Sequence, residues 1–152
     1  MSETREIAFD LPASHRTVRV ARNLARRFAR MEGLAERDTD SMLLVLSELL
    51  ANAVDHGGGG AAMDTAQATA ARMRAAVRLD DDAWVVRVTD EGGGDAAALQ
   101  AAVDEQGLPD LEDERGRGLF LMRELTDSLQ VESVDDGRGL TIIATKRYQN
   151  DA

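Results

Sequence analysis

Thirteen consecutive residues, Met42-Leu-Leu-Val-Leu-Ser-Glu-Leu-Leu-Ala-Asn-Ala-Val54, are apolar on almost every side of a helix. Such a helix has little water-facing surface to offer, so it must be buried against a sheet over a wide face. Besides Ser47, two polar residues interrupt it. Glu48 and Asn52 stand four apart and project from one side, a turn from each other. Buried polar groups need partners. The ordinary partner is a neighbouring loop. The chemical alternative is a ligand, because Asn52 offers a neutral amide oxygen suited to Mg²⁺ and Glu48 can orient a hydroxyl or accept its proton.

The flanking sequence supplies the rest of a two-layer arrangement. Ile7, Phe9 and Leu11 alternate in a short opening strand that Pro12 ends. Ser14 is a natural N-cap for a helix over about 14–32, with Val18, Ala21, Leu24, Ala25 and Phe28 as its apolar stripe. Arg16, Arg19, Arg22, Arg26, Arg27 and Arg30 crowd its other sides. They read as a solvated face, as a docking face for an acidic partner or another copy of the chain, or, more distantly, as a nucleic-acid contact. Gly33 punctuates, and Asp38 or Thr39 is expected to cap the apolar helix, which runs to about His56. Gly57 to Gly60 break the chain, and 61–71 fits either a loop or a short helix. Strands are expected at about 72–79 and 83–90, a short helix from Ala96 to about Gln106, and an acidic loop over 107–115. A further helix should start near Gly118, followed by strands at about 129–134 and 139–147 turned by Asp135-Asp136-Gly137. Separated helices with antiparallel hairpins predict an α/β (α+β) two-layer sandwich, helices on one face of a mixed, mainly antiparallel sheet. Residues 1–152 read as one domain with a core over about 5–147.

Composition narrows the function classes. A net charge of −10 argues against phosphate-backbone binding, which needs a basic footprint. With no cysteine, disulfides, thiol catalysis and Cys-built zinc sites are out, and two histidines make a His-built metal site a poor fit. The first residues lack the apolar core of a signal peptide, and no stretch approaches the roughly 18 apolar residues of a membrane helix. A cytoplasmic protein, without membrane or direct nucleic-acid contacts, is the expectation.

Two more segments carry chemistry. Asp90 ends the run Trp84-Val-Val-Arg-Val-Thr, so a buried strand delivers a carboxylate to the sheet edge, where it can accept from the exocyclic amine of adenine. Gly92 and Gly94 follow, letting backbone turn tightly against a flat ring. Gly116-Arg117-Gly118-Leu119 opens a helix. Free N–H groups there, unobstructed at the two glycines, form an anion site for phosphates, to which Arg115 or Arg117 can add charge. The spacing is that of neither a P-loop nor a dinucleotide fingerprint. Each segment alone has an ordinary reading as a strand exit or a loop-to-helix junction.

Taken together, the segments resemble the GHKL ATP-binding superfamily. Glu48…Asn52 looks like its N box, Asp90-x-Gly92-x-Gly94 its first glycine box and Gly116-x-Gly118-Leu119 its second. Thr141, in the final hairpin, resembles the late Thr that supports the adenine-binding Asp. Within the superfamily, Leu46-Ser-Glu-Leu-Leu-Ala-Asn-Ala-Val-Asp-His-Gly57 and Gly116-Arg-Gly-Leu-Phe-Leu-Met-Arg-Glu-Leu-Thr-Asp127 are similar to the anti-sigma-factor serine/threonine kinases. That resemblance implies ATP and Mg²⁺ as cofactors, Glu48 as base, Asn52 as Mg²⁺ ligand and Asp90 as adenine contact. It also implies Gly116 and Gly118 as phosphate cradle, and a homodimer that binds a sigma factor and phosphorylates an anti-sigma antagonist on Ser or Thr.

Two other classes compete. A binding module could hold nucleotide as a structural ligand and act by partner capture alone, which the acidic Glu112-Asp113-Glu114 favours and Glu48 disfavours. The severed catalytic half of a histidine kinase would need a phosphoacceptor His on a helix hairpin. His15 has no such hairpin around it, and His56 suits the end of its helix.

Overall fold

In a computed structural model, which describes residues 5–56, 71–91, 97, 100, 101, 104, 121–134 and 139–148, two long helices cover one face of a five-stranded sheet. The chain runs β1 (Arg5–Pro12), α1 (His15–Met31), α2 (Glu36–His56), β2 (Arg72–Leu79), β3 (Ala83–Asp90), β4 (Ser128–Val134) and β5 (Gly139–Arg147). The sheet order is β1-β2-β3-β5-β4, and all four pairings are antiparallel. The expected two-layer α/β sandwich is therefore the observed one.

Register decides which residues reach the core. Val77 pairs with Ile7 and Val86, and Val86 with Ala144, so these side chains share a face. Met73, Leu79, Trp84, Val88, Ile142, Leu129 and Val131 lie on the same side and form one cluster with Met42, Val45, Leu46, Leu49, Leu50 and Val54 of α2. The apolar helix is thus buried against the sheet, as its sequence requires. Burial is greatest at Trp84, which is fully buried opposite Leu79.

Ser14 caps α1 as expected, accepting from the Thr17 N–H at 3.4 Å. The far end closes in a Schellman turn. Gly33, at φ 79°, donates to Arg30 O, and Leu34 donates to Ala29 O while packing on the core. This turn explains one departure from the sequence reading. Helix α2 starts at Glu36, not at Asp38 or Thr39, so those two residues lie inside its first turns and are buried. Acidic Glu36 and Asp38 suit the positive end of the helix dipole there. Thr39 is bonded back to the turn, its N–H donating to Ala35 O and its hydroxyl to Leu34 O.

Of the short helix expected over 96–106, residues 97, 100, 101 and 104 are helical, and so are 121–125. Gln100 has a structural task that its sequence does not announce. Its Oε1 accepts from Val131 N at 2.7 Å and its Nε2 donates to Leu129 O at 3.1 Å. A side-chain amide thereby makes the two contacts a neighbouring strand would make on the outer edge of β4.

Candidate functional site

The connections bring the polar positions to one end of the sheet. Strand β1 finishes at Pro12, α1 starts beside it, and α2 returns antiparallel to α1, so the C-terminal turns of α2 meet the end where β3 finishes and β5 begins. Two bonds fasten this corner. Ala13 N donates to Ala71 O, and His15 Nε2 meets Asp55 Oδ1 at 2.9 Å. Asp55 is disfavoured by its position near the carbonyl end of α2, and a cationic His15 would be disfavoured at the start of α1, so the pair relieves both helix ends. This contact spans 40 residues and has no signal in the sequence.

Asn52, in the last turns of α2, is 8% exposed, and its Nδ2 has no hydrogen-bond partner among the described residues. An amide in that state has hydrogen-bonding capacity that the fold leaves unused, at a cost in desolvation. Glu48, one turn earlier, is half-buried with a route to water. Asp90, the last residue of β3, is also 8% exposed. It pairs in register with Met73 and Leu140, two core residues, which puts its carboxylate on the helix-facing side of the sheet. Asn52, with Glu48 one turn before it, and Asp90 thus lie toward the same end of the sheet, on its helix-covered side.

Thr141 reaches the same end by a different face. It pairs with Thr89, not Asp90, and its hydroxyl lies 2.7 Å from Thr89 Oγ1 on the sheet's outer side. Its partner Thr89, the residue before Asp90, was passed over by sequence reading because only the register reveals it. Gly92, Gly94, Arg115, Gly116, Arg117, Gly118 and Leu119 lie outside the described residues, as do the stretch 57–70 and the turn Asp135-Asp136-Gly137. In sequence, Gly92 and Gly94 follow directly on Asp90 at this end, and residues 121–125, which follow Leu119, are helical.

The donor set fits a nucleotide-bound cation better than a protein-caged one. Among the described residues no three His, Asp or Glu side chains converge. A cation held by the Asn52 amide oxygen would draw its other ligands from phosphate and water, the coordination Mg²⁺ favours.

A buried helix carrying a carboxylate and an amide, with a strand ending in a buried Asp at the same sheet end, fits a nucleotide-binding α/β sandwich. Residues 11–146 match the family model for the histidine kinase-like ATPase domain, and the chain belongs to that family. Among curated proteins no sequence match is found. The crystal structure of the SiaB-SiaC complex from Pseudomonas aeruginosa contains a chain that aligns with a TM-score of 0.68 at 13% identity, over 91% of this chain and 88% of that one. A structure of RsbU and RsbW domains from a Mycobacterium tuberculosis protein aligns with a TM-score of 0.61 at 19% identity, over 94% of this chain and 32% of that one. At these identities the likeness is one of fold.

Proposed function

We propose that this protein binds Mg-ATP and is an anti-sigma-factor-like serine/threonine kinase, which sequesters a sigma factor and phosphorylates an anti-sigma antagonist. The observation that carries the reading is buried Asn52, whose Nδ2 has no partner among the described residues, one turn from Glu48 and toward the same sheet end as Asp90, in a chain of the histidine kinase-like ATPase family. The fold neighbours add support, since one is SiaB with SiaC and the other joins RsbU and RsbW domains, a setting in which this fold works beside protein partners.

In this reading Asn52 would hold Mg²⁺, which would supply charge neutralisation at the phosphates, and Asp90 would accept from the adenine amine. Gly92 and Gly94 admit the ring. Gly116 and Gly118, followed by Leu119, present backbone N–H groups to phosphate, with Arg115 and Arg117 adding charge. Glu48 would take the proton of the acceptor Ser or Thr hydroxyl as that oxygen bonds to the γ-phosphorus, whose bond to the bridging oxygen breaks and leaves ADP. Residues 1–152 act as one domain, as a cytoplasmic homodimer. A second reading, nucleotide binding with partner capture and no transfer, is favoured by Glu112-Asp113-Glu114 immediately before the cradle, where negative charge opposes phosphate.

The test is transfer of labelled γ-phosphate to a candidate antagonist, beside the thermal shift with Mg-ATP. Glu48→Gln is expected to keep the ATP shift and lose transfer by at least about 100-fold. Wild-type protein that binds ATP without transferring phosphate supports the capture module. Indifference to ATP removes both readings.

A further inference from the structure

At the sheet end where β1 begins, the α1–α2 connection, the β2–β3 turn and Tyr148 border a cavity of about 270 Å³. Leu34, Leu79 and Tyr148 supply apolar wall. The charges around it do not cancel. Arg5 is paired with Glu32 at 3.1 Å, and Asp80 with Arg78 at 3.1 Å. Asp38 and Asp81 are left over, and among the described residues no hydrogen bond or ion pair reaches either carboxylate.

The two differ in how water serves them. Asp81 is exposed on its turn and needs no protein partner. Asp38 lines the same cavity but is only 7% exposed. It stands in the first turn of α2, whose positive end favours an ionised carboxylate. That keeps the charge in place without giving it a counter-ion. A carboxylate taken out of water and left unpaired carries a desolvation cost that nothing in the described fold offsets. Tyr148 registers the field beside it. Burial, opposed by Arg5 and reinforced by Asp80, Asp38 and Asp82, pushes its hydroxyl up.

We infer that this cavity binds an alkylammonium group. Asp38 is its main acceptor through a charge-assisted hydrogen bond, Asp81 adds attraction at the rim, and Leu34 and Leu79 cover the alkyl stem. Other small ligands fit less well. An anion would face two uncancelled carboxylates. A hard metal ion needs about six oxygen ligands, and no three His, Asp or Glu side chains converge among the described residues. A guanidinium presents five donors in a rigid fork, more than one buried carboxylate can answer. The alkylammonium itself has two possible sources, a free amine or a lysine side chain of another protein. The site stands apart from the nucleotide reading, because Asp38 in the first turn of α2 and Asn52 in its last turns are about 20 Å apart along the helix.

The full chain is titrated with butylamine and with lysine blocked at both termini, and melting temperature is followed. Butanol and KCl, the latter at matched ionic strength, are the controls. Both amines should raise the melting temperature saturably at millimolar concentration, and neither control should. Asp38→Asn should weaken the amine response by at least about tenfold and Asp81→Asn by a smaller factor, while both variants keep the Mg-ATP shift of wild type. If Asp38→Asn fails to fold, Asp81→Asn decides by the presence or absence of its smaller loss. A tighter fit for blocked lysine assigns the source to a protein side chain, and a tighter fit for butylamine to a free amine; either supports the chemistry. An equal response to butanol or KCl overturns the proposal. So does an Asp38→Asn protein that melts lower than wild type without amine yet responds to amine undiminished, since Asp38 would then serve the helix end alone.

Discussion

The two ends of the sheet differ in how their polar groups are engaged. At the end where β1 begins, several are bonded to one another. Arg5 donates to Glu32 O and Oε2, Asp80 N to Ala83 O, and Tyr148 OH and N to Asp80 O and Asp82 O. Asp127 closes the nearby start of β4 by accepting from Arg147 N at 2.7 Å. At the other end Asn52 is buried with its Nδ2 unanswered among the described residues, Asp90 holds a buried carboxylate at a strand terminus, and glycine-rich sequence follows both α2 and β3. A buried donor without a partner also stands at the bonded end, Trp84 Nε1, so an unanswered group does not by itself mark a ligand site. What sets the second end apart is that its amide lies on a helix with Glu48, near a strand-ending carboxylate, in a chain of an ATPase family.

The largest expected effect lies on the bonded end. Trp84→Ala removes a fully buried side chain beside the Asp80–Asp82 turn and should lower unfolding free energy by about 3–5 kcal/mol, read by urea denaturation. A loss well under that would mean the core tolerates collapse there, and the contrast between the ends would weaken. On the ligand end, Mg-ATP at about 100 Kd should stabilise wild type by roughly 2.7 kcal/mol, or about 5–10 °C in melting temperature. Asn52→Ala should abolish that shift while leaving the ligand-free melting temperature near wild type. The reverse pattern, intact ATP response with a destabilised apoprotein, would reassign Asn52 to the scaffold.

Alkaline unfolding sharpens the comparison further. Burial pushes the Tyr148 hydroxyl up from 10.0 to about 12. Because the folded value is raised, the stabilisation is fully present below the unfolded value and is lost as pH rises through the folded one, over about pH 10–12. Tyr148→Phe should flatten stability in that window and cost about 1 kcal/mol at neutral pH through the lost bond to Asp80 O. The smallest effect is expected at Asp127, whose carboxyl is held below its ordinary 3.8, chiefly by the Arg147 N–H and then by Lys146, with burial opposing. Its contribution exists above that value and fades as pH falls through the folded one, so Asp127→Asn should soften only the acid limb.

Much of this was legible from residues alone, for identifiable reasons. The alternation of Ile7, Phe9 and Leu11 placed β1, Ser14 placed the start of α1, and the runs before and after Asp80-Asp81-Asp82 bounded β2 and β3 as expected. Glu48 and Asn52 stood out because polarity inside an apolar helix demands a cause. The start of α2 was misplaced because Asp38 and Thr39 have the chemistry of caps, and only the Schellman turn at Gly33 shows that the chain re-enters helix before them. The face of Thr141 was hidden as well. A strand alternates sides, and whether Thr141 or Leu140 stands opposite Asp90 depends on a register that pairing across 50 intervening residues decides. The bond between His15 and Asp55 was likewise beyond local patterns.

One small contact guards one of the two borders of the sheet. The amide of Gln100 occupies the N–H of Val131 and the carbonyl of Leu129, so the β4 rim is stopped by a plug at that point rather than left as a template. Withdraw that plug and β4 becomes recruitable by an extended segment of suitable pattern, its own kind included. The same glutamine that quiets this border is what would have to yield for the sheet to grow past β4.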